Sequence, residues 1–187
     1  MQTVTRNGRS IEVVLLGDPN TGLPRPDGTV VAISTEHART HDGKAFMRTQ
    51  RFTLANGASH DVLLDPAGAI PHLRMMVLGS TSTPVRAALY EDPTTSANGT
   101  LANGLNMNRL SATVPGMQCY SGPTVSAAGN LLEDGDIVGA AKKEGGVASD
   151  SAETEWILNL AKKYLLRVTN NSGASADLLL KLFWYEV

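Results

Sequence analysis

The residue types in this chain that could do chemistry are few and scattered. Ser59, His60 and Asp61 set the three members of a hydrolase triad side by side, the set in which a carboxylate orients an imidazole that takes a proton from a serine hydroxyl. Consecutive strand residues point to opposite faces, however, so these three cannot hydrogen-bond in relay. His37 and His41 stand four apart, a spacing that ligates metal on a helix; Thr35, Thr40 and Gly43 around them favour no helix, and no third ligand is close in sequence. Glu133, Asp134 and Asp136 around Gly135 resemble a fragment of a calcium loop. They lack its twelve-residue pattern and closing glutamate, which makes them a solvated turn. Cys119 is the single cysteine; it can form no intrachain disulfide and reads as a buried structural thiol. Arg109 could pair with a carboxylate in the core or across an interface, and by default is exposed. No glycine-rich phosphate loop and no nucleophile elbow occurs, so the expectation is a protein without catalytic residues, metal or cofactor.

The elements that position these residues are short strands. The chain has 187 residues, of which 42% are hydrophobic and 18% charged, enough for one good core. Its formal net charge of −2 comes with no basic run, which argues against nucleic acid or an anionic membrane as partner. No apolar run reaches membrane-spanning length and the first residues lack the layout of a signal peptide, so a soluble product is expected. Turn formers recur every eight to fifteen residues from Ala45 onward, including Asn56-Gly57, Gly79 to Pro84, Asn98-Gly99, Pro115-Gly116, Gly129-Asn130, Asp134-Gly135 and Gly145-Gly146. That spacing predicts an all-β sandwich or barrel. The expected strands are 10–16, 29–35, 45–54, 60–64, 72–78, 85–90, 105–110, 111–120 and 137–141. Residues 1–44, with the Pro- and Gly-rich 17–28, read as an extended N-terminal arm, and 45–187 as the body.

The C-terminal 25 residues carry the strongest pattern. Two apolar runs, 164–169 and 178–185, flank the turn formers 170–176 and predict a β-hairpin. Leu178, Leu180, Leu182 and Trp184 fall on one face at period two, which should be the core face. Leu179, Phe183 and Tyr185 share the other face with Lys181, so that face should be covered by a second sheet or a neighbouring subunit. Within 153–166, Ile157, Leu160, Ala161, Tyr164 and Leu165 also fit an amphipathic helix; a strand at 155–158, a turn and a second strand is the preferred reading. An internal repeat is equally plain. Tyr90–Leu101 and Tyr120–Leu131 match at Tyr90/Tyr120, Pro93/Pro123, Thr94/Thr124, Ser96/Ser126, Ala97/Ala127, Gly99/Gly129 and Leu101/Leu131. Two equivalent strand-end loops are expected, serving as a paired contact surface or being no more than two similar turns.

These loops, with His41–Phe46, Leu54–Leu64, Asn106–Ser111 and the terminal segment, resemble a family of small tailed-phage virion proteins, the capsid decoration or cement proteins. The resemblance covers 36–187. It implies a jelly-roll-like β-sandwich, a homotrimer, the major capsid protein as partner, and a place on the capsid exterior after synthesis in the host cytoplasm. It also favours the extended reading before Tyr164. The Pro-rich N-terminal stretch and the acidic 132–136 segment depart from the family pattern, so no roles carry over to them. Two other readings remain beside it. One is a tail or adsorption component binding a host glycan, which needs an aromatic-lined groove that a 5% aromatic content ill supplies. The other is a small cupin-like enzyme, for which His60 and His72 are the pair available inside the body.

Overall fold

The computed structural model describes residues 2–6, 9–13, 35–66, 68–79, 85–137 and 154–187. It divides into two units, Met1–Ala38 and Arg39–Val187. In the first, β1 (Gln2–Arg6) and β2 (Arg9–Val13) form an antiparallel hairpin, where the sequence suggests one extended arm. The expected strand at 29–35 lies outside the described residues except for Thr35, which instead opens the helix α1 (Thr35–His41). The signals for that helix are local. Glu36 sits in the first turn and Arg39 and His41 in the last, each suited to the helix dipole. Gly43, at φ +69°, closes it in the left-handed conformation, with Lys44 N–H donating to the Arg39 carbonyl at 2.8 Å. A glycine read as a breaker is a cap.

The second unit continues with β3 (Ala45–Leu54), β4 (Ser59–Asp65), β5 (Pro71–Gly79), β6 (Val85–Glu91), β7 (Thr94–Ala97), β8 (Thr100–Leu101) and β9 (Leu105–Asn106). There follow β10 (Gln118–Ser121), β11 (Thr124–Ala127), β12 (Asn130–Ile137), β13 (Trp156–Ile157), β14 (Tyr164–Asn170) and β15 (Ala176–Glu186). One antiparallel sheet runs β12-β6-β14-β4-β10-β8 and the other β13-β5-β15-β3-β9. Their facing residues, among them Val62, Leu64, Leu89, Leu166 and Val168 from the first and Phe46, Leu73, Val77, Leu180 and Trp184 from the second, form one buried cluster. The fold is an all-β sandwich. The turn expected at 79–84, apart from Gly79 at the end of β5, the turn at 145–146 and most of the strand at 137–141 lie outside the described residues.

β15 is central to its sheet, with Leu178, Leu180, Leu182 and Trp184 buried. It does not form a hairpin with β14. β14 is central to the other sheet, and the chain between them crosses the sandwich. Asn170 makes the crossing: its buried side chain donates to the carbonyls of Leu54 (2.8 Å) and Ala174 (2.7 Å) and accepts from Ser172 N–H (3.0 Å). Each strand is paired on both edges within its own sheet, β14 by β6 and β4 and β15 by β5 and β3. The segment before β14 is extended, not helical: Trp156 pairs with Leu73, Leu158 N–H donates to the Pro71 carbonyl, and a turn follows. Tyr164, Leu165 and Leu166 are all buried, the unbroken apolar run of a strand covered on both faces.

The repeat becomes a local two-fold. Residues 91–100 and 121–130 have the same backbone states and the same pattern of exposure, position by position. Each copy begins on one strand and ends beside the other copy's beginning: Tyr90 pairs with Leu131, and Tyr120 with Leu101. Asp92 N–H donates to the Lys163 carbonyl and Gly122 N–H to that of Asp61. Asp92 (φ 57°) and Gly122 (φ 64°) then turn the chain back in the left-handed conformation, and β7 and β11 pair through Thr95 and Val125. The same two-fold relates Leu165, beside Tyr90, to Leu63, beside Tyr120. Both leucines are fully buried yet lie outside the core cluster, since alternation turns them to the opposite face of the sheet from Val62, Leu64 and Leu166.

Candidate interaction surface

The most unusual surface begins with residues that anchor a loop. Between β9 and β10 the chain leaves the sheets, where the sequence suggests strands at 105–110 and 111–120. Side-chain hydrogen bonds replace the ladder there. Asn106, buried, donates to the carbonyls of Gly43 (2.7 Å) and Thr113 (3.0 Å) and accepts from Asn108 N–H (2.9 Å). Asn108 accepts from Leu110 N–H (3.0 Å) and donates to the His41 carbonyl (2.9 Å). Upstream, Gly104 lies against the Trp184 indole so closely that a Cβ would stand 2.9 Å from Cζ3. Downstream, the buried carboxylate of Glu186 accepts from Gly116 N–H (3.0 Å), Met117 N–H (2.9 Å) and Trp184 Nε1–H (3.1 Å).

On this fixed frame the apolar side chains point away from the protein. Leu110 is 99% exposed, Val114 77% and Leu105 68%, and Leu101 and Met107 join them. Scattered exposed leucines need no explanation, but five apolar side chains exposed within fourteen residues of a well-anchored segment make this the candidate contact surface. Sequence reasoning missed it because Leu110 and Val114 look like strand interior residues. The signal available was Asn106, Asn108 and Pro115, which disfavour a continuous strand. Glu186 was legible too, since period two places it on the core face with Trp184.

The residues singled out for chemistry do not assemble. Ser59 Oγ lies 2.8 Å from Thr169 Oγ1, and Asp61 takes a two-pronged bond from Arg167 (2.8 and 2.7 Å). His60 turns the other way and stacks on Phe52, ring centroids 4.2 Å apart. His72 lies in the other sheet, stacked on Tyr185 with Nδ1 2.8 Å from Glu155, so the cupin-like pair is not formed. Burial opposes ionisation of Glu155, yet His72, Tyr185 and Arg74 together hold its pKa below the usual carboxylate range. His37 and His41 share α1, but no cluster of three metal-ligating side chains occurs among the described residues. The acidic segment is no turn: Glu133, Asp134 and Asp136 lie in β12, where Glu133 accepts from Trp156 Nε1–H (2.6 Å) and Asp134 from both Arg86 Nε and Nη2 (2.6 Å each). Cys119 is buried and burial pushes its thiol up to about 11. Arg109 is exposed, with Nη1 3.4 Å from the Asn106 carbonyl.

A small polar group does lie inside the sandwich. Arg48 enters from β3, donates to Gln50 Oε1 (2.5 Å) and to Ser121 Oγ, and its Nη1 has no partner among the described residues. His60 is nearby with Nε2 likewise unpartnered, and burial, then the Arg48 charge, lower its pKa below 6.5, with Asp61 opposing. Its unfolded form binds a proton more readily than its folded form. Stability is therefore complete above the ordinary pKa of 6.5 and lost as pH falls toward the folded value. The melting temperature should drop between about pH 7 and about pH 5, and His60→Phe, which keeps the stacking on Phe52, should flatten that slope. An equally steep profile in the variant would assign the effect elsewhere.

No model of a known protein family matches the chain, and a search among curated proteins returns no match.

Proposed function

We propose that this protein is a non-enzymatic virion component, a decoration or cement protein that binds the outer surface of a phage capsid and stabilises the shell. On this reading the sandwich is of jelly-roll type, associates with itself as a trimer, and has the major capsid protein as its partner. The observation that carries it is the anchored apolar loop. Leu110 and Val114 project from a segment held at both ends by buried hydrogen bonds, so burying them costs little ordering entropy. Apolar area removed from water stabilises a contact by about 25 cal/mol per Å². Many such contacts on one shell add up, because anything that binds the assembled state alone stabilises it by mass action.

The test is co-sedimentation with purified undecorated shells. Wild-type protein should pellet to saturation. Leu110→Asp with Val114→Asp should weaken attachment by about thirtyfold or more, while the melting temperature stays within about a degree of wild type because both side chains are exposed. A variant that pellets as well as wild type would remove this loop from the contact.

A further inference from the structure

We infer that the edge of β3 beyond Met47 receives strand β12 of a second copy, so that copies join head to tail. β9 pairs with β3 through Phe46 and Met47 alone. Met107 N–H donates to the Ala45 carbonyl, so the odd-numbered residues of β3 present their backbone groups to this edge. Thr49, Arg51 and Thr53 therefore offer donors and acceptors with no strand beside them among the described residues. Where β9 stops, a groove of about 480 Å³ opens along the edge, lined by Met47, Thr49, Leu105, Met107 and Arg109 among others.

β12 is the terminal strand of the other sheet and pairs only with β6 among the described residues. Charge selects between the two edges. With Arg48 buried in the sandwich, Arg51 is the charge that β3 presents to solvent, and with Glu133 bonded to Trp156 and Asp134 to Arg86, Asp136 is the carboxylate that β12 leaves without such a bond. Arg51 and Asp136 are both exposed, and neither forms an ion pair among the described residues. Pairing β12 with β12, or β3 with β3, sets like charges opposite each other, whereas β12 with β3 sets opposite ones together. Exposed Leu131 on β12 matches the apolar lining of the groove. The two edges also lie on opposite sides of the sandwich. Glu133 of β12 bonds to Trp156 of β13, Arg48 of β3 to Ser121 of β10, and β13 and β3 flank β15 on either side. A contact between unlike, opposite surfaces is heterologous: it forms a ring where the rotation between copies closes and a filament where it does not.

The pairing rests on the self-association proposed above, and shell binding is measured separately from it. The experiment is light scattering of the full chain and its variants, each checked for fold by circular dichroism. Wild type should exceed the monomer mass of 19.8 kDa. Arg51→Glu and Asp136→Arg should each raise the dissociation constant by about tenfold or more, and the two together should restore association. Thr49→Pro, which removes a backbone donor facing the open edge and none facing β15, should also dissociate the protein. A monomeric wild type would overturn self-association itself. An oligomer indifferent to both charge reversals would overturn this pairing and leave the shell-binding reading to its own test.

Discussion

An alanine at Gly129 should remove about 4 kcal/mol of stability, and one at Gly99 about as much. Both glycines are left-handed, at φ +94° and +90°, a conformation that costs any residue with a Cβ about 1–2 kcal/mol. The larger part is collision. A Cβ on Gly129 would sit inside the Glu91 carbonyl oxygen and 2.8 Å from the Asp92 carbonyl carbon; one on Gly99 would meet the Ser121 oxygen and the Gly122 carbon in the same way. These are backbone atoms, held by the Asp92 and Gly122 hydrogen bonds to the neighbouring strands, so neither side can yield cheaply. Urea unfolding of the two single variants checks the account. Losses that are large and similar are expected from the local two-fold; a loss below about 1.5 kcal/mol at either site would mean the crossing of the copies is looser than described.

Glu186→Ala should cost about 3–5 kcal/mol, because it strands three donors, the N–H groups of Gly116 and Met117 and the indole of Trp184, in a buried place. It should also free the downstream end of the apolar loop. Glu186→Gln keeps an acceptor for two of the three donors and should cost clearly less. Stability by urea unfolding, with hydrogen exchange at Met117, separates the two effects. If alanine and glutamine behave alike, the carboxylate is not the anchor.

How much of this was legible depends on the range of the interaction. Period two in Leu178–Trp184 fixed the buried face of β15, since alternation is a property of one strand. Which strand lies beside it is not: the turn formers 170–176 suit a hairpin and a crossing alike, and only Asn170, buried and bonded to Leu54 across the sandwich, decides. The same limit explains Glu133–Asp136. Acidic residues around a glycine read as a turn until Arg86, 48 residues earlier, appears on the neighbouring strand bonded to Asp134. The repeat was visible, but its meaning was not, because identical loops could cap one edge without exchanging partners. For the surface, Leu110 and Val114 carried a strand signal that Asn106 and Asn108 overrode with their own hydrogen bonds.

The most direct measurement of the central claim is the thermal stability of purified undecorated shells with and without saturating protein. The account predicts that the protein binds the shells and raises their disruption temperature by several degrees or more, increasing with free protein concentration as mass action requires. Shells that melt at the same temperature at every protein concentration would contradict it.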